Sequence, residues 1–294
     1  MHRSNRPLLS SGLAGLTLLI LLTHLPDGGM DLTTWLGSAA LVALLIGLGA
    51  SLGELRLSLA LTGSLLSYLT FGDRAGALWA TAAGAVVGNL WWFWRLRPAR
   101  GLRLPHRVLI EQIANRSAQL LLGLFAGAWV YEQLDSRLPL DRFTTSDLLR
   151  VLILLAADLA VYVVVFVLEA RWQGRPTLRI LTQNRVIALG ALLLALPLMI
   201  AAAVAYHRLS DLVFGLLVFG LIMAAAGVRL GIRIRARNQQ QVAQLSLLSA
   251  ITHAMRTNIG QDALLTLVYQ EIHRQLKPAD FIVALLDLNR NMLQ

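Results

Sequence analysis

Cysteine is absent from all 294 residues, which excludes disulfides, thiolate nucleophiles and cysteine-based metal sites. Lysine is almost absent too, Lys277 being the only one among 26 basic residues. Charge as a whole is scarce: 14% of residues are charged and 56% hydrophobic, with a mean hydropathy of +0.64. About a quarter of the residues of a soluble domain are charged, so most of this chain is not built for water. The six histidines are scattered along the sequence, which argues against a zinc site. No catalytic residue, metal ligand or cofactor is assigned.

What the chain does have is apolar runs near the ~20 residues needed to cross a bilayer. Eight can be marked: Leu8–Leu25, Leu32–Leu52, Leu57–Phe71, Ala75–Trp94, Val108–Tyr131, Leu148–Ala170, Val186–Tyr206 and Leu212–Leu230. The third is short and follows the break Gly53-Glu54, as a tilted or re-entrant piece would. The first has basic residues before it but no small-residue cleavage site after it, so it reads as a retained helix and not a signal peptide. Arginines crowd the loops after the fourth, sixth and eighth runs, while the loops after the fifth and seventh are mixed or acidic. That asymmetry is what eight spans with both termini cytoplasmic require. The net charge of +10 therefore reflects topology, and nucleic acid is not an expected partner. Small residues from Ala75 to Gly88, and the pair Gly123 and Gly127, mark close helix packing.

Beyond Arg229, Arg233, Arg235 and Arg237 the pattern changes. Val242, Leu245, Leu248, Ile251 and Met255 recur at steps of three and four among glutamines. They form a narrow apolar stripe suited to pairing with a second copy and are the expected path of signal relay. A second helix opens at about Asp262. Phe281–Asp287 reads as a strand and Asn289-Arg290-Asn291 as a turn.

These residues resemble a known family. The run from Leu245 to Gln294 is similar to the N-terminal part of a GAF domain, with its "DALL" helix, its "ADFIVALLD" strand and an Asn-containing hairpin turn. The resemblance implies an α/β sensor module that binds small ligands or dimerises, its later strands and helices lying beyond Gln294. The multispan part resembles the membrane sensor regions that precede GAF domains in bacterial signalling proteins with kinase, diguanylate cyclase or cyclic-di-GMP phosphodiesterase outputs. Thr252 to Asn258 also resembles a histidine-kinase phospho-acceptor box. However, Ala254 stands where the box has Glu, and Asn258 where it has Pro, so His253 reads as a polar position on the helix.

Ionisable groups inside spans raise a functional question by default. Asp158 lies mid-run in the sixth segment with Tyr162 one turn on; Glu111, Asn115 and Arg116 line one end of the fifth. They are the candidate ligand-binding set, with Arg116 a potential partner for Asp158. The structural alternative is that Glu111 and Arg116 reach for the interface while Asp158 fixes packing.

The expected fold is mainly α, a polytopic bundle of about eight spans followed by a linker helix and the start of a GAF-like domain. The expected domains are 1–232, 233–247 and 248–294. The expected function is a membrane-anchored, homodimeric signal transducer without enzymatic activity in this chain, its partners being lipid, a second copy and a small-molecule ligand. A transporter or substrate-binding membrane subunit is the rival.

Overall fold

A computed structural model describes residues 6–25, 30–52, 55–100, 106–141, 143–172, 177–256, 286–287 and 292–293. Among them the protein is mainly helical. Each apolar run contains one helix: α1 (Arg6–Thr23), α2 (Leu32–Gly47), α3 (Ala60–Phe71), α4 (Arg74–Arg100), α5 (His106–Gln133), α6 (Thr145–Trp172), α7 (Thr177–Arg208) and α8 (Asp211–Arg256). Three described stretches are long and apolar enough to cross a membrane, Thr145–Arg171, Gly190–Arg208 and Asp211–Ser246, while α1, α2 and α3 offer shorter apolar pieces. The chain divides into two compact units, Met1–Ile232 and Arg233–Gln294.

The first unit is organised around its shortest helix. At 1.5 Å per residue α3 is about 18 Å long, well short of a ~30 Å hydrocarbon layer. Every residue from Ala60 to Thr70 is buried, and α2, α4, α5 and α7 pack around it. The third run is therefore an enclosed helix. Strands β1 (Ala50–Leu52) and β2 (Leu55–Leu57) pair antiparallel just before it, turning the chain back into the bundle.

Enclosure makes an unsatisfied polar group in α3 costly, and of its hydroxyls Thr70 Oγ1 alone has no partner among the described residues. Thr62, Ser64 and Ser67 donate their hydroxyls to Leu59 O, Leu61 O and Gly63 O at 2.6, 2.9 and 3.1 Å. The last carbonyls, which no helix can satisfy itself, are met from outside. Gly72 N–H donates to Tyr68 O and Leu140 N–H to Leu69 O, both at 2.9 Å, and His207 Nε2 donates to Thr70 O at 2.6 Å. Gly72 has φ +68°, a left-handed value that glycine adopts freely and that ends many helices.

The small residues of α4 serve the packing expected of them. A Cβ on Gly84 would lie 2.5 Å from Ala39 O, and one on Gly88 2.7 Å from Ala43 O, so α2 and α4 touch backbone to backbone. Capping follows local chemistry. Asp73 Oδ1 accepts Gly76 N–H at 2.9 Å before α4. Thr144 and Asp147 exchange backbone and side-chain bonds before α6, a capping box in which Asp takes the place of Glu.

The second unit holds the remainder of α8 and two short strands, β3 (Leu286–Asp287) and β4 (Met292–Leu293). They pair antiparallel with Leu286 opposite Leu293; the turn expected at 289–291 lies outside the described residues. The helix expected from Asp262, and Phe281 to Leu285 of the expected strand, lie outside the described residues. The apolar run Leu212–Leu230 and the amphipathic stretch after Arg237 are one unbroken helix of 46 residues, about 69 Å long.

Candidate functional site

Helices α5 and α6 share one of the closest interfaces in the first unit. Glu111, Asn115, Gln119, Gly123 and Gly127 recur every fourth residue of α5 and so follow one ridge of the helix. The ridge divides into two parts.

In the first part, Gly123 and Gly127 make a notch. A Cβ on Gly123 would run into Asp158 Oδ1, and one on Gly127 would press on Leu154 O at 3.0 Å and Asp158 Cβ at 3.2 Å, so the aspartate carboxyl occupies the space that Gly123 leaves open. Asp158 is 0% exposed, and neither carboxyl oxygen has a hydrogen-bond partner among the described residues. A buried polar group without a partner is costly, and such groups concentrate where structure serves function.

In the second part, Glu169 near the end of α6 accepts from two α5 amides. Gln119 Nε2 donates to Glu169 Oε2 at 2.6 Å and Asn115 Nδ2 to Glu169 Oε1 at 3.4 Å. Asn115 lies eight residues from Gly123, which puts the amide cluster about 12 Å along α5 from the Asp158 notch.

The five sequence-derived candidates thus do not converge on one pocket. Asn115 belongs to the Glu169 cluster and Asp158 to the notch. Arg116, expected near Asp158, instead holds its guanidinium over the Phe93 ring of α4, 5.9 Å from the centroid. Glu111 and Tyr162 are half-buried on α5 and α6. Of the relay residues, Val242 and Leu245 are exposed; the side chains of Leu248, Ile251 and Met255 lie outside the described set.

A further polar network occupies the opposite end of α5. Arg74, at the start of α4, donates from Nη1 to Glu132 Oε2 at 2.6 Å and from Nη2 to His24 Nε2 at 2.7 Å. Tyr68 of α3 donates its hydroxyl to Glu132 Oε1 at 3.3 Å. Arg74 also stands over the Phe125 ring, 5.4 Å from its centroid, and His24 meets the same ring edge-on. Trp79 Nε1 donates to His24 O at 2.9 Å. Nearby, Asp31 caps α2 by accepting from Thr33 and Thr34, and these bonds hold its carboxyl below the usual range, Thr33 first.

Neither this network nor Glu169 stood out in the sequence. Partners 50 to 64 residues apart leave no spacing signal.

Fold and site together define a mainly helical protein with three helices long and apolar enough to cross a membrane, carrying an unpartnered carboxyl at one of its closest helix contacts. Comparison of the chain with known families, with curated proteins and with solved structures finds no match.

Proposed function

We propose that the protein is a membrane-embedded signal transducer that relays a cue from a multispan bundle along α8 to a cytoplasmic GAF-like domain. The supporting observation is the continuity of α8. It begins at Asp211 in a stretch apolar enough to span a bilayer and runs without interruption past Arg233, Arg235 and Arg237 to Arg256. A helix of this kind gives two compact units a shared mechanical element. The exposed Val242 and Leu245 begin the stripe on which a second copy would pair. In this reading both termini are cytoplasmic in a bacterial inner membrane and the chain is a homodimer.

Single-cysteine variants from Val242 to Ile259 test the proposal, in a chain that has no native cysteine. The expected result is disulfide crosslinking between copies with a period of three to four residues. Crosslinking without period, or none at any position, removes the helix-pair mechanism.

A transporter is the alternative, supported by the unpartnered Asp158 between α5 and α6. It requires solute uptake into vesicles that Asp158→Asn abolishes. Uptake equal to that of empty vesicles removes this reading.

A further inference from the structure

We infer that His24, Arg74, Glu132 and Tyr68 form a proton-operated latch, in which a proton binding His24 Nε2 releases α1 from α4. The inference rests on the transducer reading only in naming the proton as a cue; the latch itself follows from which atoms can donate.

The tautomer of His24 is set by its neighbours. Nδ1 lies 3.0 Å from Ile20 O, and a carbonyl oxygen only accepts, so Nδ1 carries hydrogen. In the neutral ring Nε2 is then a lone pair. Arg74 Nη2 lies 2.7 Å from it, and a guanidinium only donates. The contact therefore exists only while the ring is neutral. A proton on Nε2 sets N–H against N–H and two positive charges at hydrogen-bonding distance. Glu132, the carboxylate facing this group from α5, already holds Arg74 and accepts from Tyr68 of α3. From α1 itself Ile20 O and Thr23 Oγ1 reach the ring, both at Nδ1 and both uncharged, and α5 otherwise presents the uncharged Phe125. Asp73, which precedes Arg74, has Oδ1 engaged by Gly76 N–H and Oδ2 buried without a hydrogen-bond partner among the described residues, and Asp31 is engaged by Thr33 and Thr34.

His207 supplies an internal control. Its Nε2 faces Thr70 O at 2.6 Å, so Nε2 is a donor, and a second proton on Nδ1 leaves that bond intact. One histidine of this unit is thus wired to break its contact on protonation and another to keep it.

The latch also spans what it would need to move. His24 directly follows α1, Arg74 opens α4, Glu132 is in α5 and Tyr68 in the enclosed α3. Helix α1 rests mainly on α5, with little contact to α4, so the His24–Arg74 bond and the Trp79–His24 bond are its principal polar ties to α4. Histidine changes charge between about pH 5 and 8, within the range that an exposed membrane face meets.

The test uses the full chain in lipid nanodiscs, with a nitroxide spin label on Leu25→Cys, an exposed position beside the latch. Acidification from about pH 8 to 5 is expected to mobilise the label in one step. His24→Gln should abolish the step, and His207→Gln should leave it intact. Glu132→Gln should move its midpoint to lower pH, because the arginine beside the incoming proton then lacks its counter-charge. Arg74→Gln should give a mobile label at every pH, and if that variant does not fold, the Glu132→Gln shift carries the test. An unchanged step in His24→Gln, or no step in the parent chain, overturns the latch. A step lost in His207→Gln places the proton elsewhere and overturns it equally. The label reads α1 alone, so the latch can fail while α8 still crosslinks with its period, and the period can be absent while the latch operates.

Discussion

Helices α3 and α8 are both apolar and were drawn from neighbouring patterns in the sequence, yet they sit at opposite extremes of the fold. In α3 every residue from Ala60 to Thr70 is buried; in the most apolar stretch of α8 11% is. Helix α3 is 12 residues long and α8 is 46. The short helix is held by capping bonds from Leu140 and His207 and by contacts on all sides. The long one is held chiefly by its own backbone ladder, with Leu221 and Ala225 among its few buried positions. The contrast teaches that hydrophobicity here serves two separate purposes. In α3 it fills a protein core, and in α8 it is left mostly on the surface of the chain.

Truncation should break this symmetry of composition most sharply. Leu65 of α3 is 0% exposed and Leu245 of α8 65%. Leu65→Ala leaves a cavity at the centre of the bundle and should destabilise it by about 2–5 kcal/mol. Leu245→Ala should change stability by less than about 0.5 kcal/mol while weakening crosslinking between copies. Equilibrium unfolding in mixed micelles, read by circular dichroism, compares the two directly, and equal losses would erase the distinction.

Glycine substitution gives a smaller effect with a change of sign. Gly88→Ala drives a methyl into Ala43 O and Ile46 of α2, which should cost about 1–3 kcal/mol by overpacking. Gly227→Ala in α8, where nothing lies within 4 Å of the new Cβ, should stabilise the helix by about 0.5–1 kcal/mol. The same unfolding measurement reads both, and two losses would mean that α8 is packed against something at Gly227.

Smaller again is the hydroxyl of Tyr68. Tyr68→Phe removes the donor to Glu132 and Ala128 O and keeps the ring against Tyr131, for an expected loss of about 0.5–1.5 kcal/mol. Smallest is the Asp31 cap. Its carboxyl is held below the ordinary value, so its contribution is complete above that value and is lost as pH falls through the lowered one. Asp31→Asn should remove that acid-side slope and leave stability at neutral pH nearly unchanged, measured by thermal unfolding against pH.

Much of the helical layout was legible in the sequence, since each of the eight apolar runs holds a helix. The runs did not reveal which helix faces lipid and which faces protein. Hydropathy measures a side chain's aversion to water, and a leucine in a core and one in a bilayer avoid water alike. The brevity of the third run was the readable hint, and the hairpin at Ala50–Leu57 is its structural reason. The site was legible by halves. Asp158 was visible because a carboxylate in an apolar run stands out. Its setting between Gly123 and Gly127 needed the pairing of α5 with α6. Arg116 was expected beside Asp158 from its charge alone, but it extends instead toward α4 and the Phe93 ring. Glu169 sits two residues before Arg171 and looked like one more charge at the end of a span.

The uninterrupted backbone of α8 also fixes a phase. Each residue advances a helix by about 100°, so the phase of a stripe along a helix depends on residue count. One added residue before Val242 would swing the whole stripe about a quarter-turn or more away from its bearing. Seven would return it to within about 20°. Under the relay proposed above, a signal sent as rotation would survive a heptad insertion but not a single-residue one.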